Sequence, residues 1–150
     1  MDSNLKEGSN MTAKEYMNQA RYLDLRISSK VAQIDRLNDL ATHVTSTISD
    51  MPKSSSPDPS RMETTICKIV DLERDITEDL GHLMDLKQEL QQVVDGVSRP
   101  EYQVILQKRY LEMEQWEDIA SDMNYDVRYV QKLHGRALAD VQELLDVKRA

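Results

Sequence analysis

The chain has 150 residues, a net charge of −8, a single Cys, four Gly, no Phe and only seven aromatic side chains (one Trp, six Tyr). So little bulky apolar material excludes one thick globular core, and the abundance of Leu, Met, Gln and charged residues is the composition of long helices. No phosphate-binding glycine loop, metal-ligand cluster or nucleophile–base set is present, so no catalytic, metal or cofactor site is expected and the chain is read as a non-enzyme.

Residues 1–11 carry no periodicity and are expected to be disordered. Three hydroxyl residues each precede a Glu by three positions, a pattern that opens helices by reciprocal capping: Thr12 with Glu15, Ser60 with Glu63, and Ser98 with Glu101, the last followed by Pro100. From the first, positions 16, 20, 23, 27, 30, 34, 37, 41, 44 and 48 step by alternating fours and threes and are apolar except for Lys30. From the second, positions 62, 66, 69, 73, 76, 80, 83, 87, 90, 94 and 97 do the same, with Leu72 and Leu86 flanking the charged interruptions Glu73 and Lys87. A heptad sustained this long argues for coiled-coil packing. Between the two lies a segment with three of the four prolines, which cannot continue a helix. The expectation is a coiled-coil helical hairpin over 12–97 with its loop at about 49–60, although the same stripes could pair with a second chain.

Residues 98–150 read differently. Ser98–Leu111 is expected as one short helix with Tyr102, Ile105, Leu106 and Tyr110 inward, and Gln115–Met123 as a second with Trp116, Ile119, Ala120 and Met123 inward. Asn124-Tyr125-Asp126 is a tight turn, Asp126 capping a third helix that runs to about Leu145. Two short helices, a three-residue turn and a basic helix are the parts of a helix-turn-helix. The fold class is therefore all-α, a long helical hairpin followed by a compact helix-turn-helix domain.

Charge is uneven. Residues 1–98 hold 11 basic and 17 acidic side chains, whereas 99–150 hold 8 and 10, and Val127–Ala139 contains Arg128, Lys132 and Arg136 with no carboxylate. A local basic face inside an acidic protein can meet DNA. At about 100° per residue, Val130, Leu133, Ala137, Val141 and Leu144 share one side of the last helix and Arg128, Gln131, Lys132, Gly135 and Ala139 the other. The acidic run Asp71, Glu73, Asp75, Glu78 and Asp79 is read as a solvated face. Cys67, beside the apolar stripe, is read as a small buried residue. His43, His82 and His134 are isolated and lack metal spacing.

The stretch from Tyr102 to Arg109-Tyr110, then Trp116-Glu-Asp-Ile-Ala120, then Tyr125-Asp-Val-Arg-Tyr-Val130 and Gly135-Arg-Ala-Leu138 resembles region four of bacterial sigma factors over about 45 residues. Trp116 stands where that family usually has Leu, and Gln115 where it has a hydroxyl cap. With long helices ahead of it, the arrangement also resembles short phage-encoded regulators of the sigma-like, ArpU or RinA type. No sigma region two is present to melt a promoter. The resemblance implies a phage or prophage transcriptional regulator binding double-stranded DNA, with RNA polymerase as a further partner.

Arg and Lys match guanine O6 and N7 and Gln matches adenine, so Arg128, Gln131 and Lys132 carry the chemistry of base reading. Gly135 permits close approach, and Arg136 and Tyr129 can touch phosphate. Two other functions fit the same parts: a DNA-packaging protein of the small-terminase kind, which would assemble into a ring, and a polymerase- or sigma-binding module that does not touch DNA. A homo-oligomer through the coiled coil is compatible with all three. With no basic leader and no window near the roughly 18 apolar residues a bilayer needs, the expectation is a cytoplasmic protein without membrane contact.

Overall fold

The computed structural model describes residues 11–50 and 59–149, which are helical throughout apart from short turns and include no strand. In order these are α1 (Ala13–Asp50), α2 (Pro59–Asp95), α3 (Pro100–Leu106), a π-helical turn (Gln107–Leu111), α4 (Trp116–Met123) and α5 (Val127–Arg149). The expected disordered start lies almost wholly outside the described residues. So does the proline-rich connector, because α1 continues through Asp50 and α2 begins at Pro59. No described helix is long and apolar enough to cross a membrane.

Contacts divide the chain into two compact units, one made of residues up to Tyr22 together with those from Leu83 onward, the other of Leu23–His82. Within Leu23–His82, α1 turns inward the stripe its heptad predicts: Ile27 is buried, and Leu23, Lys30, Ile34, Leu37 and Ala41 are half-buried. On α2 the stripe differs from the expected one. Met62, Thr65, Ile69, Leu72, Ile76 and Asp79 are the shielded positions, whereas Ile66, Glu73 and Leu80 are exposed. The shift brings Leu72 inward in place of Glu73, and an ion pair accompanies it. Lys30 Nζ donates to Asp79 Oδ2 at 2.6 Å with both side chains largely shielded, so a charged residue in each stripe satisfies the other. That hydrogen bond holds the Asp79 carboxyl below the usual carboxylate range. Asp79 therefore leaves the solvated acidic face, while Asp71, Glu73, Asp75 and Glu78 remain on it. Cys67 falls two positions from both Thr65 and Ile69 of the inner stripe and is exposed, contrary to the small buried role expected of it.

The other unit holds most of the core. The start of α1 buries Ala13, Met17 and Ala20, the end of α2 buries Leu83, Leu90, Val93 and Val94, and the C-terminal helices bury Tyr102, Ile105, Leu106, Tyr110, Ile119, Ala120, Val130, Leu133, Ala137, Val141 and Leu145. Truncating a fully enclosed member such as Ile105 or Ile119 to Ala costs about 2–5 kcal/mol. Two polar contacts fix α1 within this unit. The Ala13 amide donates to Gln142 Oε1 of α5 at 2.9 Å, and Tyr16 Oη donates to Glu89 Oε1 of α2 at 2.7 Å. Burial, followed by the Glu89 contact, pushes the Tyr16 phenol above its ordinary range.

The caps follow the sequence in part. Thr12 Oγ1 accepts the Glu15 amide at 3.2 Å, as expected. Ser60 lies inside α2, which starts one residue earlier. Ser98 does not cap α3; Arg99 holds that position with φ −91° and ψ 126°. The reason is Pro100, which forces the residue before it into extended backbone and so defines the helix start itself.

Candidate nucleic-acid interface

The interface is built on the turn between α4 and α5. Asn124 ends α4 at φ 57° and ψ 40°, a left-handed conformation that Asn tolerates better than most side chains. The Tyr125 amide donates to Ala120 O at 2.9 Å and the Asn124 amide to Ser121 O at 3.3 Å, the paired closure of a Schellman motif. Two residues later the Asp126 carbonyl accepts the Val130 amide at 3.0 Å and α5 begins. The three residues Asn124–Asp126 thus reverse the chain, as the sequence predicts.

The segment ahead of α4 is less regular than the single helix expected over Ser98–Leu111. After Leu106 the backbone widens into the π turn, whose end is marked by the Glu112 amide donating to Gln107 O at 3.0 Å. Met113 takes φ 58°, and the Glu114 amide reaches Lys108 O at 2.9 Å. Arg109 straps this bend: a guanidinium N–H donates to Glu114 O at 3.0 Å, and its charge lies 4.5 Å from the Trp116 ring centre. Lys108 ties the same bend to α4 through Asp122 at 3.1 Å.

Behind the interface α5 is clamped by its aliphatic side. Val130, Leu133, Ala137, Val141 and Leu145 are buried, Leu144, expected inward, is half-buried, and the helix continues past its expected end to Arg149. His134 joins this buried side. Its Nε2 shares a hydrogen bond with Tyr110 Oη at 2.5 Å, and its ring meets Trp116 edge-on at 4.6 Å between centres. Burial, reinforced by Lys14 and Arg109, pulls the His134 pKa down to about 4, so the imidazole is neutral at pH 7. Burial likewise raises Tyr110 to about 12. Trp116, expected in the core, is half-buried, shared between His134 on one side and Arg109 on the other.

The outward side of α5 carries every residue expected to meet DNA. Arg128, Tyr129, Gln131, Lys132, Gly135 and Arg136 are all exposed. Among the described residues, Arg128, Lys132 and Arg136 enter no hydrogen bond or ion pair, so their charges are not spent inside the chain. Tyr129 stacks edge-on with Tyr125 at 4.9 Å, forming a small exposed aromatic pair at the helix start. Gly135 sits in the helix interior, where Gly is unfavourable, yet a Cβ added there would meet no atom within 4 Å. Nothing inside the chain requires its missing side chain. The exposed residues of α4 are Glu117, Asp118, Ser121 and Asp122, so of the two helices only α5 presents cations.

His134 is the residue that reasoning from sequence passed over. It falls on the same face as Val130, Ala137 and Val141, four residues after the first and three before the second, which placed it inward before any contact was known. Neither a protein-family model, nor a curated protein, nor a solved structure matches the chain.

Proposed function

We propose that the chain is a sequence-specific transcriptional regulator of phage or prophage genes that binds double-stranded DNA through the outward face of α5. In this reading residues 98–150 form a helix-turn-helix of the sigma-region-four type. The long helices α1 and α2 form a hairpin that precedes it, and RNA polymerase is a second partner. The observation that carries the reading is the division of α5 into two sides. One is fully packed, while the other presents Arg128, Lys132 and Arg136 with no internal partner and no carboxylate between Val127 and Ala139. Arg128, Gln131 and Lys132 supply base-edge contacts worth about 1–3 kcal/mol each. Arg136 and Tyr129 supply phosphate contacts, and Gly135 lets the backbone come close.

The test is a gel-shift titration with duplexes enriched from a random pool by the full chain. Arg128→Ala with Lys132→Ala is expected to weaken binding by about thirtyfold or more with helicity unchanged, taking the low end of the contact energies. Unchanged affinity in the correctly folded double variant would overturn the reading.

A further inference from the structure

A second apolar stripe runs along α2 beside the one that faces α1. Ile66, Val70 and Leu80 are 52%, 45% and 45% exposed, and Glu73 and Thr77 continue the same four-three spacing between Val70 and Leu80. By helical rotation these five positions lie within about 40° of one line, roughly a quarter turn from the inner stripe. The opposite side of α2 is charged: Lys68, Asp71 and Asp75 line a groove there with Arg36 of α1. Isolated exposed apolar residues need no explanation, but three in one heptad register form a seam.

We infer that this seam is the contact between two copies of the chain, their α2 helices running antiparallel about a two-fold axis between Glu73 and Thr77. The chemistry of the register selects a second copy as the occupant. Centring the axis there sets Val70 against Leu80 of the second copy and Leu80 against its Val70, so each apolar residue meets an apolar one. It places the polar pair Glu73 and Thr77 opposite each other. On the flank, Arg74 of each copy comes beside Glu78 of the other, a reciprocal pair of opposite charges. Also on that flank, Cys67 comes opposite Gly81 of the second copy, and a Cβ added at Gly81 meets nothing within 4 Å of its own chain. A parallel pairing loses these matches, because it sets Glu73 against Glu73 on the seam and puts the Arg74 and Glu78 flanks of the two copies on opposite sides of it.

Light scattering on the full chain is expected to give twice the 17.3 kDa chain mass. Val70→Glu with Leu80→Glu, both at exposed positions, is expected to return the single-chain mass without loss of helicity. A short bismaleimide linker reads the orientation without disturbing the seam. Gly81→Cys is expected to cross-link into a dimer through Cys67 of the other copy, and the same variant with Cys67→Ser is not. Within one helix these two positions stand about 21 Å apart, beyond such a linker. A single-chain mass for the natural protein, a ring of many copies, a dimer that survives the double Glu variant, or a natural chain that cross-links through Cys67 alone would each overturn the inference.

Discussion

Replacing Gly135 with Ala is expected to move stability and DNA affinity in opposite directions. An interior helical Gly costs about 1 kcal/mol relative to Ala, because the unfolded chain loses more freedom on entering the helix. That gain is usually offset where a methyl group collides with a neighbour. At position 135 the built Cβ finds no atom within 4 Å, so no offset arises and the full amount should appear. For a chain of this length 1 kcal/mol corresponds to about 3 °C in Tm, readable by circular dichroism on heating. The same methyl stands on the outward side of α5, one turn from Gln131 and Lys132, where a duplex would need the backbone close. Binding is therefore expected to weaken by about tenfold, or about 1.4 kcal/mol. A lower Tm would mean that Gly135 serves the fold. A raised Tm with unchanged affinity would refute the close approach.

Stability should also respond to pH through His134. Its pKa is lowered from 6.5 to about 4, so the unfolded chain binds more protons between those values and stability falls as pH drops through that window, being complete above 6.5. The gap corresponds to about 3 kcal/mol, halved to about 1.5 kcal/mol for partial solvent screening; urea midpoints at pH 7 and pH 4.5 measure it, and His134→Phe should flatten the dependence. DNA affinity should fall with salt at a log–log slope of about −1 from Arg136, the one cation assigned to phosphate, and Arg136→Ala should flatten it, whereas Arg128→Ala and Lys132→Ala should weaken binding chiefly through lost base contacts. A much steeper slope would place further cations at the duplex. At the turn, Asn124→Gly should leave stability unchanged or slightly raised, while Asn124→Val should cost about 1–2 kcal/mol in chemical denaturation, because a branched Cβ opposes φ 57°. Finally, Lys30→Leu alone or Asp79→Leu alone should lower the urea midpoint by leaving one shielded charge unpaired, whereas the double Leu variant should restore or exceed it.

The elements whose contacts are local were legible in the sequence. The α1 stripe as far as Ala41, the turn at Asn124–Asp126 and the two sides of α5 depend on local spacing, and each emerged where the spacing placed it, Val44 and Ile48 lying outside the described side chains. The α2 stripe did not. Ile66 and Leu80 are more apolar than Thr65 and Asp79, whereas the observed line has Leu72 inward in place of Glu73 and pairs Asp79 with Lys30. A pair spanning 49 positions leaves no mark in the periodicity of either helix. The same misassignment put Cys67 inside. The π turn at Gln107–Leu111 was hidden for a related reason: its residues are ordinary helix formers, and the contacts of Arg109 with Glu114 and Trp116 that accompany it lie beyond the turn. His134 was weighed only for metal ligation and set aside for lack of a partner at metal spacing, whereas the three-four spacing put it on the face of Val130, Ala137 and Val141.

The most direct test of the account is a nuclear magnetic resonance titration of the full chain with an enriched duplex. Backbone amide shifts are predicted to concentrate between Arg128 and Arg136, with the Arg128 and Arg136 side-chain signals moving as well, while α2 amides within Leu23–His82 stay in place. Shifts confined to other helices, or none in the 128–136 segment under conditions where the duplex is bound, would contradict the claim that the outward side of α5 reads DNA.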